Sequence, residues 1–311
     1  MKHSIRLLLA LLLGAAVLGA CGGDDKKASD NNGGKDSGTN AGVSVKIGAQ
    51  NFGESEILAE IYKQGLAKYG FDTSVEELGG DRAVELTAFS DKKINFAPEY
   101  AASMLEFLNE KKGEATGDVA ATVAKLAPYL TTKGLAALKS SAAVDTNAFV
   151  MTKKKSDELG IKTLSDLAAK GKDLKIGAPQ DCETNPFCIP GLKSAYGLDL
   201  AKNFTALGAG PVIDSLDADS IQIGLLFSTD GRIVSKGYVL LTDDKHMLAA
   251  DNVVPVVTTA LAGNAELVEY ANAISAKLTT AKLIAMNKRF DIDKDDASVI
   301  AKEFLTDEGL I

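Results

Sequence analysis

The sequence predicts an α/β fold of two lobes with a cleft between them. Three observations lead there. Strand-like and helix-like segments alternate from about Ser44, and the alternation restarts near Ala148. The body, residues 44–311, has about 268 residues, enough for two lobes. Polar turns carrying an aromatic residue recur where strands end, and open α/β sheets hold ligands beyond the carboxyl ends of their strands.

The elements follow in order. Val45-Lys46-Ile47-Gly48 reads as a strand. After it, Ile57, Leu58, Ile61, Tyr62 and Leu66 take the i, i+3/i+4 spacing of a helix face, with Gly70 as its terminator. The turn between them, Gln50 to Ser55, is polar except for Phe52, a ring that is either covered by a neighbour or kept for a ligand. Residues 73–78 form a second strand, and Gly79-Gly80-Asp81 opens a helix through Phe89. Residues 94–97 form a third strand, which Pro98-Glu99-Tyr100 leaves to enter another helix. This β-α-β-α-β run predicts a mostly parallel sheet. The pattern recurs with strands at 148–151, 174–178, 221–227 and 238–241, and helices after Thr163 and from Pro190 to Tyr196. The tail from Glu266 is helical, and no repeat of 20 to 50 residues is visible.

The N-terminus reads as an export signal rather than fold. Lys2 and Arg6 precede an apolar run, residues 7–18, shorter than the about 20 residues a spanning helix needs. Leu18-Gly19-Ala20-Cys21 resembles the bacterial lipobox, so residues 1–20 are expected to be cleaved and Cys21 lipidated; an ordinary cleavage site is the alternative. Residues 21–43 are rich in Gly, Asp, Asn, Lys and Ser, and read as a flexible tether. The chain carries 34 basic and 42 acidic residues; losing Lys2 and Arg6 leaves 32 − 42 = −10. That charge argues against nucleic acid as a partner. Cys182 and Cys188 enclose five residues in an exported chain, which favours a disulfide over a metal site, with two free thiols as the alternative.

A catalytic set is missing. Without the signal the one histidine is His246, in a polar turn. No nucleophile elbow, zinc-protease or phosphate-loop motif occurs, and the Gly-Ala-Gly at 208–210 is too short for a dinucleotide site. Asp291 to Asp296 begins like a calcium loop, but Asp296 stands where glycine is needed and Lys302 where a bidentate glutamate is needed. It reads as a loop with acids at the start of the last helix. What remains is a binding set. Tyr100 and Phe227 lie at strand ends, flanked by Pro98-Glu99 and Ser228-Thr229-Asp230-Gly231, and aromatic faces attract weakly hydrated organic cations.

These segments resemble one family. The stretch from Ile47 to Phe71, Leu-Gly-Gly at 78–80, Pro-Glu-Tyr-Ala-Ala-Ser-Met at 98–104, Phe-Ser-Thr-Asp-Gly-Arg-Ile at 227–233, Leu-Thr-Asp-Asp-Lys-His at 241–246 and the last eight residues are similar, in order and spacing, to the glycine betaine/choline-binding proteins of osmoprotectant ABC importers. The resemblance implies a type II periplasmic-binding-protein-like fold hinged on two crossover segments. Lobe one would be 44–146 plus 254–311 and lobe two 147–253. It further implies an extracytoplasmic, lipid-anchored monomer that hands a quaternary ammonium ligand to a membrane permease and its ATPase, without a cofactor.

The family's aromatic box maps onto Tyr100, Phe149 (two residues after Asn147) and Phe227, with Asp251 where a fourth ring is expected. Gln50, Asn51 and Asp230 belong to the same motifs. The family's betaine binders hold the carboxylate with a lysine, an arginine and a threonine, and those places hold Gln50, Asn185 and Ser103. Each lost charge-assisted bond is worth about 1.5–3 kcal/mol. The expectation is therefore a cation without a carboxylate, choline being the simplest, with a betaine or carnitine ligand as the alternative. A surface lipoprotein with an empty cleft is the alternative from another class. Phe52 either supports Gln50 or touches ligand.

Overall fold

The structure, a computed structural model, describes residues 40–79 and 82–311. The expected signal, Cys21, most of the tether and the Gly80-Asp81 turn lie outside the described residues. Residues 40–43, which composition assigns to the tether, pack on the body. Asn40 is buried and its side chain donates to the Tyr69 carbonyl at 2.9 Å, while the Val43 carbonyl accepts from Asp72 N–H. Residues 40–43 are thus fixed to the body.

Among the described residues, ten strands form two five-stranded sheets. The first holds β1 (Ser44–Ala49), β2 (Asp72–Glu77), β3 (Phe96–Tyr100), β4 (Leu135–Ala137) and β10 (Val253–Thr258), in the order β2-β1-β3-β10-β4. The second holds β5 (Asn147–Met151), β6 (Ile176–Ala178), β7 (Phe204–Ala206), β8 (Ile223–Phe227) and β9 (Val239–Leu240), in the order β7-β6-β8-β5-β9. Each sheet has three parallel strands, joined to two that pair antiparallel. The expected mostly parallel sheets are therefore mixed. The reason is topological. β5 enters the second sheet from the first, β10 returns, and each lands antiparallel beside the third parallel strand of its sheet. The segments leading into β5 and β10 run side by side, with Val144 bridged to Asn252 and Asp145 N–H donating to the Asp251 carbonyl.

Strand alternation divides each core in two. In β10, Val253 and Val257 face a cluster with helices Gly53–Ala67, Ala265–Ser275, Thr280–Lys288 and Ala297–Asp307. Val254 and Val256 face the other side, against helices Ala101–Leu108 and Val119–Thr132. In β5, Phe149 and Met151 enter one cluster of the second sheet, and Ala148 and Val150 the other.

Three details bear on the site. β3 runs through Pro98-Glu99-Tyr100 instead of ending at Ala97, because β10 covers it, with Pro98 opposite Pro255. Neither proline has an N–H, so that pairing leaves no donor unmet. The helix Ala101–Leu108 has no cap from Tyr100 and is capped instead by Asp251, whose Oδ1 accepts from Ala102 N–H at 2.8 Å and Ser103 N–H at 3.0 Å and whose Oδ2 accepts from the Ser103 hydroxyl. The tail resolves into helices, and the calcium-like stretch forms a π-turn, Arg289–Asp293, before the helix Ala297–Asp307. No cluster of metal-ligating side chains occurs among the described residues.

Two stability outcomes follow. Phe149 is fully buried and Phe227 is 47% exposed. Phe149→Ala is expected to cost about 3–5 kcal/mol in urea unfolding, and Phe227→Ala about 1 kcal/mol or less. Burial raises the Asp251 carboxyl to about 6, above its unfolded value near 3.8. Between those values the folded state binds more protons than the unfolded, so Asp251 makes stability fall as pH rises from about 4 to 6. Unfolding midpoints at pH 4, 5, 6 and 7 should show that decline, and Asp251→Asn should flatten it by about 2–3 kcal/mol.

Candidate binding site

The site sits where strands of both sheets run out. β1 ends into Gln50, β3 ends at Tyr100, β6 ends into Pro179 and β8 ends at Phe227. Because β5 and β10 run antiparallel to their neighbours, their first residues lie at the same edges. Asn147 is opposite Phe227, and Val253, just after Asp251, is opposite Tyr100. These ends enclose a cavity of about 260 Å³.

Seven of the residues named from the sequence line it: Gln50, Tyr100, Ser103, Asn147, Asn185, Phe227 and Asp251. Phe52, left open above, lines it too, with its ring 6.2 Å from that of Tyr100. Three residues named from the sequence do not. Asn51 turns outward and is exposed. Asp230 caps the helix Gly231–Ser235 and forms a bidentate pair with Arg232. Phe149 lies in the core of the second sheet, fully buried. It shares a strand face with Asn147 but sits two residues further along, one pleat below the cavity, and its cross-strand partner Leu225 takes the place in the wall.

The sequence missed Arg82, Asp145, Pro179, Asp181 and Leu225 as lining residues. Only the position of Pro179 just past a strand offered a signal. Cys182 and Cys188 are bonded, with Cα atoms 5.1 Å apart, and Cys182 also reaches the wall. The bridge pins a loop whose Asn185 accepts from Phe187 N–H at 2.9 Å, and Phe187 O accepts from the Asn147 amide at 3.1 Å. His246 is exposed, away from the cavity lining.

Charges around the cavity are unevenly answered. Arg82 Nε and Nη2 each donate at 2.7 Å to the fully buried Glu99 carboxylate, a bidentate pair. The Gln50 amide donates at 2.9 Å to both Glu99 and Glu85. Burial, then the Glu99 charge beside it, pushes the Glu85 carboxyl well above the usual carboxylate range. Burial, then Glu54, does the same to Asp145, which accepts from Thr229 N–H at 3.1 Å. Glu54 is also buried, in the first turn of the helix Gly53–Ala67. It accepts from the Tyr100 hydroxyl at 2.7 Å, from the Thr229 hydroxyl at 2.6 Å and from the Asn287 amide. Three acids line the cavity, Asp145, Asp181 and Asp251. Among the described residues Arg82 is the one basic side chain that lines it, and its charge is matched by Glu99. Apolar rings, amides and acids of this kind suit a small ligand that is apolar on its surface and positive in charge.

Comparisons with known proteins fit this architecture. A glycine-betaine-binding protein of Pseudomonas aeruginosa is 27% identical over 278 residues, 86% of this chain and 88% of that one. The carnitine transport binding protein OpuCC of Listeria monocytogenes is 24% identical over 163 residues, 52% and 53% of the two chains. Among solved structures, a glycine betaine/carnitine/choline ABC transporter protein superposes with a TM-score of 0.72 at 24% identity, covering 86% of this chain and 99% of that one. Lactococcal OpuAC, closed on glycine betaine, gives 0.60 at 14% identity over 86% and 96%. These structural likenesses show the fold, the type II two-lobed arrangement. Residues 43–307 match the substrate-binding domain of ABC-type glycine betaine transport systems, and the chain belongs to that family of solute-binding proteins, which are not enzymes.

Proposed function

We propose that this protein captures a quaternary ammonium cation without a carboxylate, choline being the simplest, between the rings of Phe52, Tyr100 and Phe227. The observation that carries the reading is the charge of the cavity. Three acids line it, and the one basic side chain that lines it among the described residues is already paired with Glu99. A quaternary ammonium has no N–H to donate, so it is held by π-faces and by nearby negative charge, with about 2 kcal/mol or more per desolvated ring contact. A ligand carboxylate would enter among acidic side chains, and the one basic side chain that lines the cavity among the described residues is already engaged by Glu99. Gln50, Ser103, Asn147 and Asn185 offer hydrogen bonds to an uncharged tail such as a hydroxyl. The relative named for glycine betaine favours the second reading, a betaine ligand of the same cavity.

Around that cavity we take residues 44–146 with 254–311, and 147–253, as the two bodies that close on ligand. The protein would act outside the cytoplasm as a monomer, passing ligand to a permease and its ATPase. A lipid on Cys21 and the tether after it would keep it at the membrane. These assignments rest on the sequence motifs and the family.

Two experiments test the reading. Calorimetric titration should give choline binding at least tenfold tighter than glycine betaine, with Tyr100→Ala and Phe227→Ala each losing most of that affinity while staying folded. Betaine binding tenfold tighter than choline would overturn the preference. Expressed in an exporting bacterium, the protein should partition with membranes, and Cys21→Ser should release it to the soluble fraction; an unchanged distribution would refute the anchor.

A further inference from the structure

We propose that Glu54 is a positioning residue for cation capture: its carboxylate joins two walls of the cavity and makes the Tyr100 ring a stronger π-face. The proposal rests on the cation-binding reading above. Glu54 itself is absent from the cavity lining and stands behind Tyr100, in the first turn of the helix Gly53–Ala67, 7% exposed.

Its two oxygens serve different walls. Oε1 accepts from the Tyr100 hydroxyl at 2.7 Å, at the end of β3 in the first sheet. Oε2 accepts from the Thr229 hydroxyl at 2.6 Å, two residues past Phe227 at the end of β8 in the second sheet. The Asn287 amide donates both to Oε2 and, at 3.1 Å, to the Thr229 carbonyl. The loop after Phe227 is also seated tightly on the helix Thr280–Lys288, since a Cβ on Gly231 would lie 2.8 Å from Lys288 Cα. One carboxylate therefore fixes the tyrosine ring and the loop that carries Phe227.

Two features go beyond bracing. First, three donors converge on two oxygens, which a neutral amide, with one acceptor oxygen, does not satisfy. The position calls for a carboxylate: burial raises its carboxyl, and the hydroxyl and amide donors oppose that rise in favour of the charged form. Second, its contacts are a hydroxyl, a hydroxyl and an amide, with no basic side chain among them, and the Asp291 charge nearby opposes its own rather than answering it. The negative charge behind the ring is thus answered by dipoles alone. A phenol that donates to a carboxylate carries more electron density in its ring, and hydrogen-bonded groups polarise one another. A cation resting on that face gains from the ring and from the uncompensated charge behind it.

The test pairs two probes of the same shape. Choline carries the charge; 3,3-dimethylbutan-1-ol replaces its nitrogen by carbon and carries none. With Glu54→Gln, choline affinity is expected to fall about tenfold and that of the neutral alcohol to change by about twofold or less. Tyr100→Phe keeps the ring but removes the hydroxyl, and should give the same selective loss. The double variant should lose little more than the worse single variant, because both act through one contact. That cycle on choline alone is sufficient if the alcohol binds too weakly to titrate, and thermal unfolding of each variant reports its folding. Equal losses for both probes, unchanged choline affinity in Glu54→Gln, or additive losses in the cycle would overturn the proposal. A wild-type protein that binds no quaternary ammonium would overturn the cation-binding reading, and this inference with it. A wild-type protein that binds choline with a Glu54→Gln variant that binds it equally well would overturn this inference alone.

Discussion

β5 and β10 enter their sheets against the direction of their neighbours, and the cavity depends on that. In a sheet where every strand ran parallel, the strand starts would lie at the edge opposite the strand ends. Here Asn147 starts beside the end of β8, and the residues before Val253 start beside the end of β3. The segments that lead into the two strands also lie together, through Val144 and Asn252. Asp145 and Asp251 come from those segments, so the connection between the sheets supplies part of the cavity wall. Architecture and site are one construction: moving the crossovers would remove the wall.

That construction brings many acids close together, and burial forces each to find an answer. Glu99 has Arg82. Glu85 is raised by burial and by Glu99, with the Gln50 amide donating to it. Asp251 has the start of the helix Ala101–Leu108 and the Ser103 hydroxyl. Asp145 has Thr229 N–H, and Glu54 has three uncharged donors. Apart from Arg82, the answers are dipoles rather than cations. Dipoles hold a carboxylate without cancelling its field, so whichever of these acids is ionised leaves the surroundings of the cavity negative. This is the physical basis on which the proposed ligand class rests, and the rings alone would not distinguish a cation from an apolar solute.

Much of the fold was legible because period and punctuation are local. The helix face at Ile57, Leu58 and Ile61, the capping Thr163 and the strand around Ile47 each declare themselves within a few residues. Strand direction does not, since alternation is the same read either way, and the mixed sheets went unseen. Depth is not in the pattern either. Asn147 and Phe149 share a face, and only the packing around Leu225 decides which one meets the cavity. Asp251 read as a cavity wall, which it is, but its capping partners lie 148 and 149 residues away. Glu54 was hidden for a plainer reason. An acid in the first turn of a helix already has an ordinary explanation in the helix dipole, and its partners Thr229 and Asn287 lie 175 and 233 residues along the chain.

Gln50 shows how one position sets the charge of the whole wall. Its amide donates to Glu85 and Glu99 at once, with no charge of its own. Arg82 answers Glu99, while burial and then the Glu99 charge raise the Glu85 carboxyl, a shift that the neutral Gln50 amide only partly opposes. A cation at this position would favour the ionised form of Glu85 and would be drawn toward the two glutamates. The family's betaine binders place a lysine at this step of the motif, where the resemblance assigns it to the ligand carboxylate. In this chain the acids behind residue 50 would compete for such a lysine. The neutral side chain and the buried glutamate pair are therefore one arrangement, and it underlies the proposed preference for a ligand without a carboxylate.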